Sequence, residues 1–157
     1  MDLYREFREL IGALDAAGLS YAVCGGVAVT LHGHPRLTRG IDLLVREDDI
    51  DAIREVVRSL GYAVAAGYIP FDVGTPRERQ IYRVSKIEGE DLLSLDLLLV
   101  NPALEEVWRT RERFAWEGST LTIVSRDGLA RMKRLAARSQ DLADLESLGF
   151  EREDDDD

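Results

Sequence analysis

Tyr21-Ala-Val-Cys-Gly-Gly-Val-Ala-Val-Thr-Leu-His-Gly-His-Pro-Arg-Leu-Thr-Arg-Gly-Ile-Asp-Leu-Leu-Val45 is the stretch whose reading decides the fold. The apolar run Tyr21 to Cys24 has the length and composition of a short buried strand. Gly25-Gly26 follows as a tight turn, and Val27 to His32 reads as a helix leading directly from it. Beyond Pro35, Ile41, Leu43 and Val45 alternate with Gly40, Asp42 and Leu44, the period-2 pattern of a second strand. Positions 40 and 42 therefore share one face, opposite the face that carries Ile41 and Leu43.

Outward from this stretch the chain alternates helical and extended patterns. Leu3, Phe7, Leu10, Ile11 and Leu14 recur at spacings of three and four, which predicts an amphipathic helix ending near Gly18. Ile50, Ile53, Val56, Val57 and Leu60 predict another, with Asp48 or Asp49 as its cap and Gly61 as its stop. A strand is expected over Gly61 to Ala65. The stretch Gly67 to Arg79, which contains Pro70, Gly74 and Pro76, is expected to be a loop beside the site. Gln80 to Ile87 and Leu92 to Val100 predict a hairpin around Glu88 to Asp91, with Asp96 on the face of Leu92, Ser94 and Leu98. A short helix near 102–109, a strand over Thr120 to Val124, and helices between Arg126 and Leu148 divided at Ser139-Gln140 complete the expectation.

With 157 residues, 45% of them apolar, the chain can build one compact domain that buries roughly two thirds of its unfolded surface. We expect that domain over residues 1–150, followed by a disordered acidic tail over 151–157, whose composition cannot bury enough apolar surface to order itself. The formal net charge is −10, and the tail supplies half of it. Such a balance argues against general nucleic-acid binding, where affinity is built from Lys and Arg on phosphates. Two local basic groups, Arg77, Arg79 and Arg83, and Arg126, Arg131, Lys133, Arg134 and Arg138, could still attract triphosphate or a local RNA segment. The lone Cys24 rules out an internal disulfide and reads as a small buried hydrophobe. No apolar stretch approaches the roughly 20 residues that span a bilayer, and no leader opens the chain, so a cytoplasmic, membrane-independent protein is expected.

The chemistry of the pattern lies in its carboxylates. Two-metal nucleotidyl transfer needs converging carboxylates that hold two ions about 4 Å apart. Two acids two apart on a strand project the same way, and a third on the neighbouring strand completes the set. Here Asp42 and Asp96 can converge, but position 40 is glycine and offers no ligand. His32 and His34, two apart with no further His or Cys ligand nearby, do not suggest a zinc site.

Taken together, the Gly25-Gly26 turn, the helix after it and Arg36-Leu-Thr38-Arg-Gly40-Ile-Asp42 resemble the signature of the nucleotidyltransferase superfamily, in which an Asp stands where this chain has Gly40. The segment Val124 to Leu148, with Lys133, Arg138, Asp141 and Asp144, resembles the ending of AbiEii-like, toxin–antitoxin-associated small nucleotidyltransferases. The resemblance implies an α+β, polymerase-β-like fold with a mixed sheet flanked by helices. It implies transfer of a nucleotide from an NTP, with Mg²⁺, to an acceptor that is RNA, protein or a small molecule, and a toxin–antitoxin partner. It assigns Asp42 and Asp96 as catalytic metal ligands, and Gly25, Gly26, Arg36, Thr38 and Lys133 as nucleotide-binding residues. Gly40 is then expected to impair activity by orders of magnitude. Two other readings compete: a catalytically inactive nucleotide- or protein-binding module, and an antibiotic nucleotidyltransferase.

Overall fold

In the computed structural model, which describes residues 1–150, one seven-stranded mixed sheet carries helices on both faces. The expected tail over 151–157 lies outside the described residues. The elements are α1 (Leu3–Ala16), β1 (Ala22–Cys24), α2 (Gly25–Leu31), β2 (Gly40–Val45), α3 (Ile50–Ser59), β3 (Tyr62–Phe71), β4 (Arg79–Glu88), β5 (Asp91–Leu99), α4 (Glu105–Arg109), β6 (Glu112–Trp116), β7 (Ser119–Ile123), α5 (Arg126–Ala136) and α6 (Ser139–Ser147). The strand order is β3-β4-β5-β2-β1-β7-β6. β2 runs parallel to β5 and β1 parallel to β7, while all other neighbours are antiparallel.

Helix α1 starts where the Asp2 carboxylate accepts hydrogen bonds from the backbone N–H groups of Tyr4 and Arg5. It ends before Gly18, whose φ of +71° continues the chain in the left-handed region. Its buried residues Phe7, Leu10 and Leu14 join Ile50, Ile53 and Val57 of α3 in the core cluster. These two helices cover one sheet face. Arg54 of α3 stacks on Tyr82 of β4, and Glu6 of α1 accepts from Tyr62 Oη at 3.0 Å and from Lys86 Nζ at 2.9 Å. Because Tyr82 and Lys86 point to this face, Arg83 and its cross-strand partners point to the other. Among the residues that face α1 and α3 across the sheet are Leu43, Val84, Leu95 and Leu97, all nearly or fully removed from solvent.

The differences from expectation have local causes. Strand β3 runs through the segment expected to be a loop and stops only at Phe71. It is the edge strand, where proline is tolerated because alternate residues turn their N–H away from the neighbouring strand, and the ladder shifts register between Tyr62 and Val64 and between Ala65 and Gly67. The loop itself is the shorter stretch 72–78. Asp49 stands at the start of α3 but its side chain makes no capping bond. Strand β6, at the opposite edge, is exposed or half-buried along its whole length, so no strong alternation announces it in the sequence.

Candidate functional site

The chemistry-bearing residues meet on one rung of the sheet. Cys24 lies opposite Asp42, Asp42 opposite Asp96, Asp96 opposite Arg83, and Arg83 opposite Gly67, so a single row crosses five strands. Directly opposed residues share a face and bring their side chains within contact of one another. Asp42 and Asp96 therefore converge, as expected, on the face not covered by α1 and α3. Gly40 lies opposite Ser94, one rung away, and a Cβ built there would stand 3.0 Å from the Ser94 carbonyl oxygen.

Arg83 closes the Asp96 carboxylate. Its Nε donates to Oδ1 at 2.8 Å and Nη2 to Oδ2 at 3.0 Å, a fork-on-fork pair that engages both oxygens. Sequence reasoning placed Arg83 in a basic group without assigning it a partner. The signal was present: Gly89-Glu90 is the two-residue turn of the hairpin, and counting outward from it pairs Ile87 with Leu92 and Arg83 with Asp96.

No comparable fork closes Asp42. Burial in the floor of the site, and then the charge of Asp96, push its carboxyl up from 3.8 to about 6, against the pull of Lys133, Arg138 and Arg36. Burial likewise pushes the Cys24 thiol up, so that this cysteine is a neutral packing group. Gly25 is what lets α2 begin directly over Asp42. Its φ is +66°, and a Cβ there would stand 2.7 Å from the Asp42 carboxyl carbon. At Gly26 the next side chains are Thr38 Oγ1 and Arg36 Nη2, both within 3.0 Å of where a Cβ would be. The glycine pair thus seats the 33–39 loop and the acid strand against α2.

The C-terminal helices deliver a second charge cluster. Lys133 on α5 is 5% exposed and reaches Asp141 at 3.4 Å and Asp144 at 3.0 Å, both 2% exposed on α6. Arg138 donates from its backbone and guanidinium to Asp141, and Arg36 pairs with Asp144 at 2.9 Å. Burial raises the Asp141 carboxyl, but the hydrogen bond from Arg138 and the charge of Lys133 outweigh it and hold the group below its ordinary value. Lys133 and Arg36, expected as phosphate contacts, are therefore also the struts that fasten α6 to α5 and to the 33–39 loop. Thr38 turns its hydroxyl to the Arg36 carbonyl at 3.4 Å and does not line the cavity.

Between these clusters lies a cavity of about 240 Å³. Its wall contains five cationic side chains, Arg36, Arg79, Arg83, Lys133 and Arg138, against three acids, Asp42, Asp96 and Asp141. Gly25 and Gly26 line it, and the rest is largely apolar, from Phe71, Ile81 and Leu98 on the sheet to Leu129, Met132 and Leu135 on α5. Asp144 behind Lys133 and Arg36, and Asp72 beside Arg79, balance the remaining two cations, so the wall offers guanidinium and ammonium donors and an apolar stretch without a net charge.

The donor set does not fit two metal ions. Two-metal transfer requires carboxylate oxygens free to bridge the ions. Asp96 has both oxygens engaged by Arg83, position 40 contributes none, and no group of three or more His, Cys, Asp or Glu among the described residues is placed to hold a metal. The positive charge of the cavity wall comes from arginine and lysine.

No protein-family model matches this sequence, and no curated protein matches it. Solved structures do. The antibiotic-resistance factor ANT(2'')-Ia in solution superposes with a TM-score of 0.63 at 14% identity, over 92% of this chain and 80% of that one. The crystal structure of ANT(2'')-Ia in complex with adenylyl-2''-tobramycin gives 0.60 at 13% identity, over 90% and 84%. A candidate nucleotidyltransferase from Thermotoga maritima gives 0.61 at 12% identity, over 91% and 89%. The chain has the fold of these nucleotidyltransferases, a mixed sheet flanked by helices.

Proposed function

We propose that this protein is a nucleoside-phosphate-binding member of the nucleotidyltransferase fold whose transfer chemistry is impaired, and that it holds phosphate with side-chain cations where two-metal transfer would use ions. The observation that carries this reading is the two-pronged Arg83–Asp96 pair, which occupies one metal-ligating carboxylate while Gly40 removes another. In two-metal transfer the ions activate the attacking oxygen and neutralise the leaving pyrophosphate, worth several kcal/mol of barrier. Arg83, Arg138 and Lys133 can neutralise phosphate oxygens, but none of them can lower the pKa of an acceptor hydroxyl as a metal does. Asp42, with its carboxyl raised to about 6, can accept a proton near neutrality, yet a proton acceptor by itself leaves the attacking oxygen without that activation.

The AbiEii-like, toxin–antitoxin-associated setting, with an RNA or protein partner, is proposed on the Lys133, Arg138, Asp141 and Asp144 pattern alone. A second reading, transfer to a small acceptor, is supported by the likeness to ANT(2'')-Ia over most of both chains. On the reading we favour, ATP binds with similar affinity in EDTA and in Mg²⁺, because the cations of the cavity carry the charge. Isothermal titration in the two buffers tests it, and binding that appears only with Mg²⁺ would contradict it.

A further inference from the structure

Among the described residues, Phe71 is the one aromatic side chain in the cavity wall, and the chain leaves it 37% exposed while Tyr62 and Tyr82 on the neighbouring stretch of sheet are buried. Its position is fixed by unusual local structure. Asp72 follows in the left-handed region at φ +51°, a conformation that aspartate tolerates better than most residues. The Thr75 hydroxyl donates to the Asp72 carbonyl at 2.7 Å, and the Asp72 carboxylate pairs with Arg79 at 2.9 Å. Arg79, directly opposite Phe71 on β4, lays its guanidinium over the ring at 5.5 Å and also donates to the Leu135 carbonyl at the end of α5. One side of the ring is thus backed by a cation that the sheet, the 72–78 loop and α5 hold in place, while the ring remains open to solvent.

The rest of the cavity lacks what this ring offers. Lys133, Arg138 and Arg36 act on Asp42 at the rung of Arg83, whereas Phe71, with Arg79 opposite it, lies four residues farther along β3, about 13 Å at strand rise. Between the two ends the face is apolar, with Ile69, Ile81 and Leu98 on one rung. An end rich in guanidinium and ammonium donors, an apolar stretch and an aromatic platform in line match a ligand with phosphates at one end and a planar ring at the other. We propose that Phe71 is the platform on which the base of a nucleoside phosphate stacks, with its phosphates toward Arg83 and Lys133. This rests on the nucleoside-phosphate reading above and adds to it the base end of the site. Stacking uses the π-face that every base has, so the platform recognises a nucleotide as such and discriminates weakly among bases.

The test compares ATP with inorganic tripolyphosphate, which has the phosphates and no ring, by isothermal titration on the full chain, with Phe71→Leu and Phe71→Trp beside it. The unmodified protein should bind ATP more tightly than tripolyphosphate by roughly 5- to 150-fold, the range that base–aromatic stacking spans. Phe71→Leu should remove that preference while leaving tripolyphosphate affinity unchanged, and Phe71→Trp should keep it. A preference that survives in Phe71→Leu, or a variant that weakens both ligands equally, would overturn the assignment. Equal binding of the two ligands by the unmodified chain would overturn the platform and leave the anion site standing. Binding of neither would overturn both.

Discussion

Replacing Asp42 with asparagine should make the protein more stable, and only above about pH 4. Asp42 sits in the floor of the site, where burial first and the nearby Asp96 charge second raise its carboxyl from 3.8 to about 6. A displacement of that size corresponds to roughly 3 kcal/mol against the ionised form in the folded state. The sign follows from proton linkage. Between pH 4 and 6 the folded protein binds more protons at this site than the unfolded chain, so the contribution of Asp42 to stability falls as pH rises through that window. Above it the penalty is complete. The amide introduced by Asp42→Asn is neutral and nearly the same shape as the carboxyl, so the variant should gain up to about 3 kcal/mol at pH 7 and little at pH 4. For a chain of this length that is a rise of roughly 6 to 12 °C in melting temperature. Thermal unfolding of both proteins at pH 4, 5, 6 and 7 reads the effect directly. A difference that does not change with pH, or a variant less stable at pH 7, would refute the claim that the site stores an unfavourable charge at Asp42.

Other substitutions probe the parts of the site that hold its shape. Lys133→Met leaves Asp141 with Arg138 and Asp144 with Arg36 and Gln140, so the loss should sit at the low end for a broken buried pair, about 3 kcal/mol by urea unfolding at pH 7. Because the Asp141 carboxyl is held below its ordinary value, the stability it contributes is present above about pH 4 and is lost as pH falls through its lowered folded value, so the deficit of Lys133→Met should shrink in acid. An equal deficit at pH 3 and pH 7 would argue that packing, not charge, fastens α6. Gly40→Ala should destabilise by about 1 kcal/mol, since overpacking against a backbone oxygen of the paired strand costs roughly 1–3 kcal/mol and outweighs the smaller gain from removing a strand glycine. Urea midpoints equal to those of the unmodified chain would show that β2 and β5 part easily at this rung.

Much of this arrangement was legible in the sequence because it is local. The strand, Gly25-Gly26 and the helix are contiguous, and the alternation around Asp42 shows which face it occupies, so the meeting of Asp42 with Asp96 could be anticipated. What escaped depends on context beyond the window. Whether Pro70 breaks a strand depends on whether that strand lies at an edge, which only the sheet order settles. With the segment taken for a loop, Phe71 had no face to belong to, and the aromatic end of the cavity stayed hidden. Lys133 could be read as a phosphate contact or as a partner of Asp141 and Asp144, and it is the turn between α5 and α6, with Ala137 at φ +55°, that folds the two acids back onto it. The Arg83–Asp96 pair, in contrast, follows from the hairpin turn alone, whose register sets every β4–β5 partner.

On the reading we favour, this fold keeps a nucleotide site and has given up two-metal transfer. Incubation with α-labelled NTPs and Mg²⁺, in the presence of cellular RNA, protein and aminoglycosides as acceptors, measures both halves of that reading. The unmodified chain should bind ATP under these conditions and transfer no label above the level of a no-protein control. Label transferred to any acceptor in repeated turnovers would contradict the account, and would mean that Asp42 and Asp96 suffice despite Gly40 and Arg83.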